Sequence, residues 1–275
     1  MLIDTHCHLD AAEFDRDRDA VIYRARAAGI ACMVVPAVEV ANFESVRALA
    51  DGARDCVYAL GIHPLYVERA DEMALGRLRE ALVCYRNDPA LVAVGEIGLD
   101  HFVPGLDRER QSRFFTAQLR LAQEFELPVI LHVRQAQDQV LKHLRQTPVR
   151  AGIAHAFNGS LQQAEAFIKL GFVLGFGGAM TFERALRIRR LGRELPAEAL
   201  VLETDSPDIA PSWVHPGRNQ PGELAGIAHA LAALRNCPVE VVTRQTALNA
   251  MRVLPRLAGR LMPSGSGVTG STSPQ

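Results

Sequence analysis

Cysteine is scarce and unpaired in this sequence: Cys7, Cys32, Cys56, Cys84 and Cys237 form no C-x-x-C pair, and their number is odd. A disulfide framework is therefore a poor fit, and reduced thiols in a cytoplasmic protein are expected. An excess of one charge is also missing, since 30 basic residues face 31 acidic ones and the formal net charge is −1. No long-range field gathers nucleic acid or anionic lipid, so a polyanionic partner has to be held locally. No apolar run approaches the roughly 18 residues of a membrane span, and no membrane association is expected. Nor does a basic segment lead into an apolar one at the N-terminus, because Asp4, His6, His8 and Asp10 interrupt it. Trp213 is the single tryptophan, which leaves no obvious platform for stacking bases. A glycine-rich first turn, which would open a dinucleotide-binding sheet, is absent as well.

What is present is an alternation. Short apolar runs, Leu2 to Cys7, Ile30 to Ala37, Val57 to Ile62, Leu91 to Ile97, Pro128 to Val133, Gly152 to Ala156, Phe172 to Phe176 and Leu200 to Thr204, read as eight strands. Between them lie helical patterns at Arg18 to Ala28, Asn42 to Gly52, Glu72 to Arg86, Arg108 to Phe125, Leu161 to Leu170 and Phe182 to Arg193. Gly29 and Gly171 stand where left-handed caps would end two of them. Eight near-continuous apolar strands with crossover helices predict an α/β fold, a closed (β/α)₈ TIM barrel, over an open doubly wound sheet. One domain over residues 1–262 is expected, with a disordered polar tail, PSGSGVTGSTSPQ, at 263–275.

In such a barrel, groups from different strands converge at the C-terminal strand ends, and that is where the polar residues of this chain fall. His6 and His8 close the first run, His63 follows the third in GIHP, and Glu96 closes the fourth in VGEIGLD. His132 closes the fifth in LHVR, His155 the sixth in HAFNG, and Glu203 and Asp205 the eighth in LVLETDSP. Any one of these is explained as a satisfied rim residue. The set is not, because burying so many polar groups unpaired costs about several kcal/mol each, and metal coordination supplies the missing partner. Alternate side chains of a strand share a face, so His6 and His8 point into the barrel mouth and Cys7 points outward as a small buried hydrophobe. Glu203 and Asp205 share a face in the same way, as do His132 and Arg134, whose guanidinium suits a phosphate oxygen. Four histidines with two carboxylates exceed one tetrahedral ion and suit two divalent ions, Zn, Mg or Mn, bridged by a carboxylate.

The motifs DTHCHLD, GIHP, VGEIGLD, LHVR, HAFNGS, LVLETDSP and RNQP, in this order and spacing, resemble the TatD family of metal-dependent deoxyribonucleases. The resemblance runs over nearly the whole chain except the tail. It implies a (β/α)₈ barrel that hydrolyses DNA ester bonds, in the manner of a 3'-5' exonuclease, with a binuclear metal centre. Carried over by position, His6, His8 and Asp205 match ligands of one metal, Glu96 the bridging carboxylate, and His132 and His155 ligands of the second. Asp205 and Glu96 then carry catalysis, Asp205 by orienting or deprotonating the attacking water, while His63, Arg134 and Glu203 are expected near the substrate. The chain departs from the family at His101 after GLD, at Gln135 after LHVR, and at Ala156 and Asn158. None removes a ligand position; all alter the rim.

DNA, single-stranded or at its ends, is the expected substrate, and nothing calls for an obligate protein partner. A hydrolase of a small phosphate ester, amide or lactone keeps the barrel and metals with another substrate. Glu96, where the wider amidohydrolases often carry a modified lysine, favours the nuclease. A non-catalytic, metal-stabilised adaptor would instead need a closed ligand shell. The arginines at 184, 187, 189, 190 and 193 read as a solvated helix face before they read as a phosphate track.

Overall fold

β-branched and leucine-rich runs bounded by glycine, proline and helix signals form all of the expected strands. The computed structural model describes residues 1–261, so the tail expected to be disordered at 263–275 lies outside the described residues. Its strands are β1 Leu2–Asp4, β2 Ile30–Pro36, β3 Cys56–Leu60, β4 Leu91–Asp100, β5 Val129–Arg134, β6 Gly152–Ala154, β7 Phe172–Phe176 and β8 Leu200–Leu202. Its helices are α1 Arg18–Ala27, α2 Phe43–Gly52, α3 Ala74–Cys84, α4 Arg108–Glu124, α5 Gln137–Gln146, α6 Leu161–Lys169, α7 Leu186–Glu194, α8 Leu224–Arg235, α9 Val239–Val253 and α10 Pro255–Leu261. All neighbouring strands pair in parallel in the order β1 to β8, so the fold is the expected (β/α)₈ barrel.

The ends of the elements depart from the sequence expectation for identifiable reasons. β1 stops at Asp4 rather than Cys7 because the Asp4 carboxylate turns inward and accepts the His6 and Thr204 N–H groups. α7 begins at Leu186 rather than Phe182: Thr181 is tied to Gly178 and Ser212, and Phe182 is extended, its ring edge-on to His215. Gly29 and Gly171 do follow their helices with φ of +84° and +87°, the conformation a side chain would disfavour. Ser160 and Gln163 close a capping box on α6.

The barrel closes between β8 and β1 by a polar seam rather than a regular ladder. The Thr5 N–H donates to Leu202 O at 3.1 Å, the Asp205 N–H to His6 O at 2.8 Å, and the His8 N–H to Ser206 O at 2.7 Å. Beneath these, Thr204 Oγ1 lies 2.6 Å from Asp4 Oδ2 and 3.0 Å from Ser206 Oγ. Inside the barrel Ile3, Val34, Val57, Val92, Ile130, Ile153, Val173 and Val201 pack with Ala250 and Met251 from α9, Leu257 from α10 and Leu254 between the two helices. These last two helices floor the N-terminal mouth. Asn249 ties α9 to Leu200 O at 2.8 Å, and Arg256 ties α10 to Leu91 O at 2.8 Å. The opposite, C-terminal face carries the polar residues.

Burial pushes the Asp4 carboxyl up to about 8, against the hydrogen bonds from Thr204 and His6. The folded state thus holds this proton above the ordinary value of 3.8, where the unfolded chain releases it, so its contribution to stability declines as pH rises from about 4 to about 8. Asp4→Asn mimics the protonated form, its amide donating to Thr204 Oγ1. It is expected to match wild type in denaturant midpoint near pH 4 to 5 and to gain on it progressively towards pH 8. A constant difference across that range would contradict the assignment.

Candidate metal centre

β4 supplies the centre of the site. A register irregularity between Val94 and Ile97 sets Glu96 out of plain alternation and turns its carboxylate into the mouth, where it is 1% exposed. Two glycines let β4 approach β5 this closely: a Cβ on Gly95 would lie 2.7 Å from Ile130 Cβ, and one on Gly98 2.0 Å from His132 O.

Each Glu96 oxygen has its own company. Oε2 lies 3.0 Å from His6 Nε2 and 3.5 Å from His8 Nε2. Oε1 lies 2.9 Å from His132 Nδ1, 3.0 Å from His155 Nε2 and 3.3 Å from His63 Nε2. Asp205 Oδ1 adds to the first side, 3.5 Å from His6 Nε2 and 3.6 Å from His8 Nε2. Sequence positions 6, 8, 63, 96, 132, 155 and 205 therefore meet in one cluster. Three groups in it bring ligand atoms within 4.8 Å of one another: His6, His8 and Glu96; His6, His155 and Asp205; and His63, Glu96 and His132. Cys7, between the two histidines, is fully buried in the layer of side chains outside the barrel, its Sγ 3.8 Å from Val34 O. Burial holds its thiol well above the ordinary range, so it offers no thiolate.

The electrostatics couple the carboxylates and imidazoles of the cluster. Burial alone would raise Glu96, yet His155, His63 and His6 around it hold it well below the usual carboxylate range. Burial, reinforced by His155, pushes His6 well down, and burial lowers His63 to about 4. For His155 burial is outweighed by Glu96 and Asp205, which hold it well up. Burial raises Asp205 to about 6. The His6 and His8 Nε2 atoms face each other at 3.2 Å, and the His6 Nδ1 is buried without a partner among the described residues. Nitrogen and oxygen donors so packed, with no thiolate among them, fit divalent zinc, manganese or magnesium.

Behind the cluster stand residues that orient it, two of which sequence reasoning missed. Asp100 accepts from His132 Nε2 at 3.0 Å and from the Phe102 and Val103 N–H groups. Burial opposes ionisation, but His132 and these N–H groups hold Asp100 at about 2. Asp4 is the other, at the foot of the β1–β8 seam. No strand alternation singles out either, because β4 is irregular before Ile97 and β1 ends at Asp4; each is identified by its partner distant in the chain. Glu203, expected near the substrate, is buried behind His155, its Oε1 3.7 Å from His155 Nδ1 and its Oε2 without a partner among the described residues. Gly175 leaves it room, for a Cβ there would lie 2.1 Å from that Oε2.

Arg134 is exposed at the end of β5, its guanidinium 3.9 Å over the Phe102 ring, and among the described residues it pairs with no carboxylate. In the arginine run, Arg190 and Arg193 pair with Glu194 and Arg189 donates to Met180 O, which accords with a solvated helix face. Asn219, buried in the RNQP motif, donates to Thr204 O at 2.7 Å and Asp208 O at 2.8 Å and so braces the turn that carries Asp205.

Comparison with known proteins agrees with this geometry. The family described as TatD related DNase matches residues 3–255. An Escherichia coli K12 protein named uncharacterized metal-dependent hydrolase YjjV is 41% identical over 243 residues, 88% of this chain and 93% of its own. An Erwinia tasmaniensis protein named 3'-5' ssDNA/RNA exonuclease TatD is 35% identical over 263 residues, 92% of this chain and 99% of its own. The crystal structure of Escherichia coli YjjV superposes with a TM-score of 0.88 at 39% identity, covering 92% of this chain and 98% of that one. With its barrel, its strand-end histidines and its buried Glu96, this chain belongs to the TatD family of metal-dependent hydrolases.

Proposed function

We propose that the protein is a divalent-metal-dependent phosphodiesterase that removes nucleotides from DNA, most readily from single-stranded ends, with two ions. The observation that carries the reading is Glu96: one buried carboxylate whose two oxygens face two separate sets of imidazoles. Six donor side chains, counting Glu96 with those gathered about its two oxygens, exceed one tetrahedral shell and would suit a pair of ions. His6, His8 and Asp205 would hold one ion, and His132 and His155 the other. When bound, the pair supplies a water ionised near neutral pH and neutralises charge on the leaving oxygen.

The side chains do the rest. Asp205 would orient the attacking water and take its proton. Arg134, stacked on Phe102 and free of carboxylates among the described residues, is available to a phosphate oxygen of the substrate. Glu203 acts through His155 by keeping its Nδ1 side polar. The substrate class is supported by the exonuclease name of the Erwinia tasmaniensis relative and by Glu96 at the bridging position. A cytoplasmic setting is part of the proposal, in keeping with the free thiols.

Protein reconstituted with zinc or manganese is expected to carry two equivalents by mass spectrometry and to shorten end-labelled single-stranded DNA. Glu96→Ala should lose both properties while retaining its circular dichroism. DNA degradation by Glu96→Ala at the wild-type rate would overturn the mechanism, and hydrolysis of a p-nitrophenyl phosphodiester but of no DNA would transfer the site to a small ester. Cys7→Val should bind the same two equivalents, whereas His8→Ala should bind fewer; metal loss in the cysteine variant would overturn the division between inward and outward faces.

A further inference from the structure

Where the far nitrogen of an imidazole around Glu96 has a hydrogen-bond partner, that partner decides which nitrogen carries the proton. A backbone N–H can only donate, so a ring nitrogen that accepts from one holds a lone pair there. His63 is in that position. It caps the 3-10 helix Pro64–Arg69, and the Leu65 N–H donates to its Nδ1 at 3.1 Å. In the neutral ring the proton then sits on Nε2. That nitrogen faces the centre, 3.3 Å from Glu96 Oε1 and 3.0 Å from His132 Nδ1. An N–H has no lone pair for a metal. The doubly protonated ring is excluded too, because its Nδ1–H would meet the Leu65 N–H head on.

His132 has the reverse arrangement. Both its nitrogens face carboxylates, Nε2 Asp100 Oδ2 at 3.0 Å and Nδ1 Glu96 Oε1 at 2.9 Å, so Asp100 can keep a proton on Nε2 while Nδ1 gives its own up to a metal. His155 turns Nε2 inward, and its Nδ1 lies 3.7 Å from Glu203 Oε1, beyond hydrogen-bond reach but on the carboxylate side of the ring. A carboxylate behind the ring suits a metal ligand, and a backbone donor behind the ring does not.

His63, Glu96 and His132 are close enough to share one ion, yet we infer that His63 ligates none and is instead a hydrogen-bond donor, through Nε2–H, to a phosphoryl oxygen of the substrate. The identity of the acceptor rests on the proposed phosphodiesterase reading; the exclusion from the metal does not. Once the His132 lone pair is engaged by a metal, the neighbouring N–H is left facing the site. It is also held in place. The His63 N–H donates to Val38 O at 2.9 Å, and the Gln118 carboxamide brackets Ile62, accepting from its N–H at 2.7 Å and donating to its carbonyl at 3.0 Å. A fixed donor of this kind stabilises charge that develops on an oxygen without having to reorganise.

The test uses zinc-loaded protein, wild type against His63→Leu and His63→Gln, the latter keeping an N–H near the Nε2 position. Both variants are expected to retain the wild-type zinc content, while His132→Ala loses zinc. On single-stranded DNA, kcat should fall about 10²–10³-fold in His63→Leu, the size of losing one such donor, and less in His63→Gln. Nitrogen-15 spectra of histidine-labelled protein, with His63 identified by its disappearance in His63→Gln, should show the Nε2–H tautomer before and after zinc. Loss of zinc in both His63 variants, a zinc-bound His63 nitrogen, an Nδ1–H tautomer, or an unchanged kcat in His63→Leu would each overturn the inference. If wild type cleaves no phosphodiester, the phosphodiesterase reading fails and the donor role fails with it, while zinc content and tautomer still decide whether His63 is a ligand.

Discussion

A carboxylate buried among five imidazoles is the constraint on which the rest of this molecule depends. Burying Glu96 alone costs several kcal/mol, to about the extent that a lone ion in a protein interior must be matched by charge or donors. Strand β5 and the segments that follow β1, β3 and β6 each contribute at least one imidazole to offset it, and only a closed barrel brings those elements to one point. The register irregularity in β4, the side-chain-free Gly95 and Gly98 and the vacancy at Gly175 all bring backbone or carboxylate closer than a Cβ would allow.

The seam between β8 and β1 follows from the same requirement. A regular ladder would fix the alternation of both strands, whereas the His6, His8 and Asp205 backbones take part in single hydrogen bonds across the gap. Asp205 adopts a φ of +56°, a conformation a non-glycine residue holds only where its surroundings determine it. Asn219 and the Asp4, Thr204 and Ser206 chain provide that determination. With α9 and α10 packed across the opposite mouth, solvent and substrate meet the cluster from the strand ends.

The barrel was legible because eight apolar runs of β character kept a regular alternation with helical patterns, and hydrophobic period is the part of a fold that sequence states most directly. The meeting of His6, His8, Glu96, His132, His155 and Asp205 was legible for a related reason, since strand ends in a barrel share one face. Less legible were features that depend on a partner distant in the chain. Nothing local says that Gly175 makes room for Glu203, that Asp100 stands behind His132, or that Thr204 closes on Asp4. His63 illustrates the limit best: its residue type allows either a ligand or a donor, and only the Leu65 N–H against its Nδ1 separates them.

Position of the metals relative to Glu96 tests the account most directly. Anomalous diffraction from crystals of the zinc-loaded protein should show two peaks, one on each side of the Glu96 carboxylate, with His6 and His8 on one, His132 Nδ1 and His155 Nε2 on the other, and neither within about 2.0–2.1 Å of a His63 nitrogen. A single peak bound by one Glu96 oxygen, or a pair of ions that leaves Glu96 outside both coordination shells, would contradict it.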